Sequence, residues 1–212
     1  MFRYENSMRI CDTEKYPYSL EYVKESRYEN YHGKCDENGF CIMAAGSKHL
    51  FCTPELSEFS LKMNVSINAA VSPFKVLRFG VMFGYSKAER SGYEIEFTYG
   101  GDSLEVALVK FVCSEKTKIN ETKFDNVHIG GTTKLLKLYV TKDGCRGCLG
   151  KYGFDFKTKM PCGKIGIDVS SVYAGITFAD AYITSKESFK KSSTGASASA
   201  KVKLFSIRIA LP

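Results

Sequence analysis

The chain has 212 residues, 44% hydrophobic and 25% charged, proportions of an ordinary globular domain that buries a core without metal or disulfide staples. Its net charge of +7 is spread along the chain. The densest basic groups (Lys186, Lys190 and Lys191, then Lys201 and Lys203) flank a Ser/Ala-rich stretch with no aromatic-plus-basic pattern, which argues against nucleic acid as a partner. No run reaches the roughly 18 apolar residues of a membrane span, and Met1 to Leu20 is polar with no apolar leader segment. The expectation is therefore no membrane partner and a cytoplasmic location, or secretion if a leader has been removed.

Residues 1–50 read as an irregular, Tyr-rich segment that packs on the main body, with short strands expected at Ser19–Val23 and Gly39–Ala44, the second led in by the turn Asp36-Glu37-Asn38-Gly39. Strict alternation begins near Phe59. In Leu61 to Asn68 every odd place is apolar, which predicts a strand with one buried face. Arg78–Tyr85 repeats the pattern through Phe79, Val81 and Phe83. Tyr93–Tyr99 repeats it again, with Tyr93, Ile95, Phe97 and Tyr99 on one face and Glu94, Glu96 and Thr98 on the other. Gly100-Gly101-Asp102-Ser103 is a hairpin connection, and Leu104, Val106 and Leu108 open the next strand.

Helical periodicity is sustained nowhere, and only Asn68–Lys75 and Ser114–Asn120 leave room for a turn or two of helix. Leu136, Leu138 and Val140 mark a strand closed by Lys142-Asp143-Gly144, with Leu149–Phe156 returning antiparallel. Gly163–Val169 and Gly175–Thr184 are further strands. Residues 185–201 are a Ser/Ala/Lys-rich linker that buries too little apolar surface to order itself. Residues 202–212 alternate again, as a terminal strand or the start of a further domain. Many short strands with Gly-containing turns make an all-β sandwich of two antiparallel sheets, with residues 51–184 as its core.

From about Phe51 to Ile183 the order of these features resembles the concanavalin-like (laminin-G-like) lectin and glycanase superfamily. Phe51-Cys52-Thr53-Pro54-Glu55-Leu56-Ser57-Glu58-Phe59-Ser60-Leu61 resembles that family's entry to its first long strand. Phe79-Gly80-Val81-Met82-Phe83-Gly84 and Gly92-Tyr93-Glu94-Ile95-Glu96-Phe97 are similar to two of its later strands. Leu136-Lys137-Leu138-Tyr139-Val140 with Asp143-Gly144 resembles its strand-and-hairpin pair. Gly163-Lys164-Ile165-Gly166-Ile167 with Ile176 to Ile183 resembles its closing unit. The resemblance implies a jelly-roll sandwich with a concave face or rim that meets glycans. The function expected from the residues taken together with this resemblance is a carbohydrate-binding or interaction module without catalysis, accessory to a glycan-active protein. The alternatives are a glycoside hydrolase or polysaccharide lyase with carboxylates on the concave sheet, and a structural protein-interaction domain. Fold alone does not choose among them.

Four constellations could carry chemistry. Glu94 and Glu96, two apart on a strand, share a face at roughly 6.5–7 Å, a spacing open to glycosidase chemistry. The glycanases this chain resembles carry an E-x-D-x-E run, whereas here Thr98 stands in the third acidic place. The plainer reading of the pair is a solvated outer face. Asn64, Arg78, Glu94, Glu96, Lys137 and Tyr139 all fall on non-core faces and would form a sugar groove of amide, charge and aromatic if their strands shared one sheet. Cys145-Arg146-Gly147-Cys148 with Cys162 offers three ligands of a structural metal site, Cys113 or His128 being the available fourth. No other cofactor is expected. Eight cysteines in a chain of this size otherwise read as free thiols. The three histidines, His32, His49 and His128, are scattered without ligand spacing.

Overall fold

A computed structural model of the chain describes residues 6–9, 20–23, 33–36, 39–42, 47–51, 53, 55–67, 76–113, 115–171 and 176–185, the first strands up to residue 49 by their backbone. Among these residues there are fifteen strands and no helix, and hence no helix long and apolar enough to cross a membrane. The strands are β1 (Asn6–Arg9), β2 (Leu20–Val23), β3 (Gly33–Asp36), β4 (Gly39–Ile42), β5 (Ser47–Phe51), β6 (Phe59–Ile67), β7 (Val76–Ser86), β8 (Ser91–Gly100), β9 (Ser103–Val112), β10 (Glu115–Phe124), β11 (Thr133–Thr141), β12 (Gly144–Leu149), β13 (Tyr152–Lys157), β14 (Lys164–Ser171) and β15 (Ile176–Ser185).

They form two antiparallel sheets. One runs β13-β12-β11-β6-β15-β4-β3, with β1 also on β15; the other runs β10-β9-β8-β7-β14-β5-β2. The alternation seen in the sequence becomes the inner faces. On β6, Phe59, Leu61, Met63, Val65 and Ile67 point inward and are buried; on β8, Ile95, Phe97 and Tyr99 do the same. Phenylalanines join the layers in place of the missing tryptophan. Phe79 of β7 stacks on Phe97 at 5.1 Å and meets Phe178 of the other sheet edge-on at 6.0 Å. Phe97 meets Phe154, and Phe83 meets Phe59, across the same gap. Each such ring buries about 150–250 Å², so these bridges account for much of the core.

Several expectations are corrected. From Glu115 on, the expected turn of helix does not form: Glu115–Phe124 is edge strand β10, paired to β9 along its length with one bulge at Lys118/Asn120. Nearly all its residues are exposed, so no apolar period could reveal it. Leu149–Phe156 is not one strand, because β12 ends at Leu149 and β13 begins at Tyr152. Cys145–Cys148 therefore lies within strand β12. Among the described residues up to Phe51, β2 and β5 extend one sheet while β1, β3 and β4 extend the other. The segments 68–75 and 186–212 lie outside the described residues, and with them the proposed helical turn, linker and last strand.

Candidate functional site

The sheet that starts at β10 is strongly curved. Lys116 on β10 lies four strands from Asp168 on β14, about 19 Å away in a flat sheet. Yet Lys116 Nζ stands 3.1 Å from Asp168 Oδ2. Only a sheet bent toward its outer face brings the two together, so that face is concave.

Glu94 and Glu96 lie at the centre of this face. Alternation on β8 sends Tyr93, Ile95, Phe97 and Tyr99 to the core and both glutamates outward, and β14 does the same for Asp168 between Ile167 and Val169. Lys116 Nζ is 2.9 Å from Oε2 of Glu94 and 2.9 Å from Oε2 of Glu96. The solvated face expected for the pair is not what forms: Glu94 is 0% exposed, Asp168 3%, Glu96 14% and Lys116 27% by side chain. Gly80, the register neighbour of Glu96 on β7, makes the space. A Cβ there would stand 2.0 Å from Glu94 Oε1, an oxygen that has no hydrogen-bond partner.

Burial pushes the Glu94 carboxyl up to about 8, Asp168 adds to the rise, and Lys116 opposes it without prevailing. Burial also disfavours the Lys116 ammonium, but Glu94, Asp168 and Glu96 together outweigh that and hold its pKa well above the usual lysine range. Beside the charges the same face carries a second apolar cluster, Leu50, Met82, Tyr85 and Phe111, all buried, with the Tyr85 and Phe111 rings stacked at 6.0 Å. Arg78 is exposed further along β7, opposite Thr98.

The other sequence candidates lie on the opposite sheet. Asn64 is on β6, and Lys137 and Tyr139 are on β11, which pairs with β6. The six residues therefore divide between the outer faces of two sheets and cannot make one groove. Asn64 donates from Nδ2 to Asp180 Oδ2 at 3.0 Å. Lys137 and Tyr139 do meet other functional groups. Tyr139 is in register with Arg146 and, beyond it, Asp155; Lys137 is in register with Cys148 and Gly153. These six residues, with Thr122, Gly147 and Phe154, line a surface depression of about 790 Å³. Tyr139 is 38% exposed, and the Arg146 guanidinium carbon lies 5.9 Å from its ring centroid. Gly153 ends its row in a gap, only the Gly147 carbonyl lying within 4 Å of the place for a Cβ.

The three cysteines do not converge. Cys145 and Cys148 are three apart on β12 and so face opposite ways. Cys145 is in the core, where burial first and Asp155 second push its thiol up to about 12. Cys148 lines the depression, and Cys162 is exposed in the loop before β14. Among the described residues no three His, Cys, Asp or Glu form a metal cage, and at the Glu94–Glu96–Asp168 trio the Lys116 ammonium stands where a cation would.

Sequence reasoning missed Lys116, Asp168 and Arg146. Asp168 was readable as the polar place between Ile167 and Val169. Lys116 was hidden in an exposed edge strand, and Arg146 inside a motif read for its cysteines.

No protein-family model and no curated protein sequence matches the chain. Solved structures do match. The carbohydrate-binding module CBM66 of Bacillus subtilis aligns with 18% identity and a TM-score of 0.62 over 79% of this chain and 96% of its own. The CBM2 module of the evolved Dit protein of Lactobacillus casei BL23 phage J-1 aligns with 10% identity and a TM-score of 0.60, over 84% and 95%. A Bacillus licheniformis β-glucanase aligns with 8% identity and a TM-score of 0.58, over 87% and 100%. At such identities the likeness is one of architecture: the chain has the concanavalin-like jelly-roll fold.

Proposed function

We propose that the protein is a carbohydrate-binding module that does not cleave its ligand, and that the ligand lies across the depression formed by Tyr139, Lys137, Arg146 and Asp155. Its fold is shared by carbohydrate-binding modules and by glucanases, which makes carbohydrate interaction the natural starting point and leaves the choice between them to the side chains.

The observation that carries the reading is the convergence of one exposed aromatic ring with two cationic and one anionic side chain in a depression of about 790 Å³. A ring face suits the C–H surface of a sugar, and directional polar groups around it suit the hydroxyls. The concave face argues the other half. Two glutamate oxygens each 2.9 Å from one ammonium lie close enough together for a retaining pair, which needs about 5–5.5 Å. What they lack is access: Lys116 occupies the space between them, and Glu94 is fully buried. A glycosidase acid has to touch the glycosidic oxygen, and here that place is held by a lysine.

The test is gel retardation on a panel of immobilised polysaccharides. Wild-type protein is expected to be retarded by at least one, and Tyr139→Ala to migrate freely. Failure of every polysaccharide to retard the wild type, or undiminished retardation of Tyr139→Ala, overturns the reading.

A further inference from the structure

Strand register places three cations side by side on the face that holds the depression. Lys62 of β6 is the direct partner of Lys137 on β11, a position where Cβ atoms stand about 4.5–5.5 Å apart and like charges destabilise the sheet. Arg146 of β12 is the diagonal neighbour of Lys137, one strand on and one row along. Among the described residues neither lysine side chain makes an ion pair or hydrogen bond, and the Arg146 guanidinium, likewise without an ion pair, stands over the Tyr139 ring.

Edge strand β10 of the concave sheet treats its lysines differently. There Lys116, Lys118 and Lys123 are each ion-paired with carboxylates of their own sheet. Two acids lie near the three free cations. Asp180 accepts the Asn64 amide, and Asp155, although in register with Arg146, makes no ion pair with it. The row thus holds three cations without an ion pair, against two nearby carboxylates, beside an exposed aromatic ring at the edge of an open depression.

We propose that the ligand of this site is an acidic polysaccharide, one whose sugar rings carry carboxylate or sulfate groups. This rests on the carbohydrate-binding reading above and goes beyond it by fixing the charge of the ligand. Lys137 and Arg146 take the acid group, Arg146 through the two parallel N–H donors of its planar fork. Lys62 extends the positive field to the next acidic residue of the polymer. Tyr139 packs on a ring face once Arg146 turns from it to the ligand, and Asp155 accepts from a hydroxyl. A bound polyanion also relieves the Lys62–Lys137 repulsion, so binding raises the stability of the sheet that carries them.

Four immobilised probes distinguish the possibilities: polygalacturonate, heparin, neutral laminarin and single-stranded poly(dA). The expected result is retardation by polygalacturonate or heparin in low salt, abolished in 1 M salt, where the screening length is ~3 Å. The triple substitution Lys62→Ala, Lys137→Ala, Arg146→Ala should weaken that binding at least about tenfold, and Arg146→Lys, which keeps the charge and loses the fork, should weaken it measurably. Lys118→Ala with Lys123→Ala removes two cations from the other sheet and should leave it unchanged. Binding of laminarin with neither acidic polymer overturns the charge assignment and leaves the carbohydrate reading standing. Retardation by none of the three polysaccharides overturns both. Binding of poly(dA) as tight as that of the acidic polysaccharides, and indifferent to Tyr139→Ala, overturns saccharide recognition in favour of a general polyanion surface.

Discussion

Replacing Lys116 by methionine keeps an apolar stem of similar length and removes the one charge that Glu94, Glu96 and Asp168 share. The ammonium stands at 2.9, 2.9 and 3.1 Å from them, and two of the three acids are almost wholly buried. Without it, carboxylates about 5 Å apart repel by ~3 kcal/mol per ionised pair at an effective dielectric of about 20. Breaking a buried pair by removing one partner costs about 3–5 kcal/mol, and the same range is expected here at pH 8. The sign with pH follows from proton binding. Burial and Asp168 hold the Glu94 carboxyl above its unfolded value even with Lys116 present, and removing Lys116 takes away what opposes that rise. The stability tied to the Glu94 proton is therefore fully present below the ordinary carboxylate range and is lost as pH rises through the raised Glu94 value. Urea unfolding of wild type and Lys116→Met at pH 5 and pH 8 measures both effects: a loss of about 3–5 kcal/mol at pH 8 and a clearly smaller one at pH 5. A loss under about 1 kcal/mol at pH 8, or the same loss at both values, refutes the reasoning. Asp168→Asn in the Lys116→Met background should recover part of the loss, because it removes one of the repelling charges.

Glu94→Gln tests the raised carboxyl by itself. Since Glu94 goes from 4.5 to about 8 on folding, wild-type stability should decline by a few kcal/mol between those values, and the variant should lose that decline; matching pH profiles of the urea midpoint would contradict this. Gly80→Ala places a Cβ 2.0 Å from Glu94 Oε1 and should cost about 1–3 kcal/mol as overpacking, most of it vanishing when Glu94 is alanine, as read by a double-mutant cycle. Cys148 should react readily with an aromatic disulfide reagent under native conditions, while Cys145, buried and with its thiol held up at about 12, reacts only on unfolding; equal labelling rates would refute the opposed orientations. No disulfide should join them.

Strand β8 shows what was legible. Its glutamates and aromatics alternate without interruption, so the inner and outer faces could be assigned residue by residue, and they form as assigned. The same holds for β6, β7, β11 and β14, where period-two apolar patterns give the strand and its buried face together. Strand β10 shows what was not legible. Its Lys-Thr-Lys-Ile-Asn-Glu run is exposed nearly throughout, because it is an edge strand whose outer positions are used for charge. Strand β12 was hidden for another reason. Gly147 sits where a Cβ would come 2.1 Å from the Lys137 carbonyl, so a glycine that reads as a turn marks a close strand approach.

The site was half legible. Parity along a strand tells which residues point away from the core, and all six sequence candidates do. It does not tell which sheet a strand joins. That depends on β6 pairing with β11 and β15 while β7 pairs with β8 and β14, contacts between segments far apart in the chain. The six residues therefore divided between two faces. Glu94 was assigned to the right face and the wrong environment, because its burial depends on Lys116, four strands from Asp168, and on the curvature that joins them.

The two faces can be set against each other in one experiment. Retardation on the best-bound polysaccharide is measured for wild type, Tyr139→Ala and Glu96→Gln, and reducing ends released from that polymer are counted alongside. Binding at the Tyr139 depression without cleavage requires that Tyr139→Ala migrates freely, Glu96→Gln is held as firmly as wild type, and no reducing ends appear with either protein. Release of reducing ends by wild type that Glu96→Gln abolishes, with Tyr139→Ala still retarded, would place the ligand and its chemistry on the concave face instead.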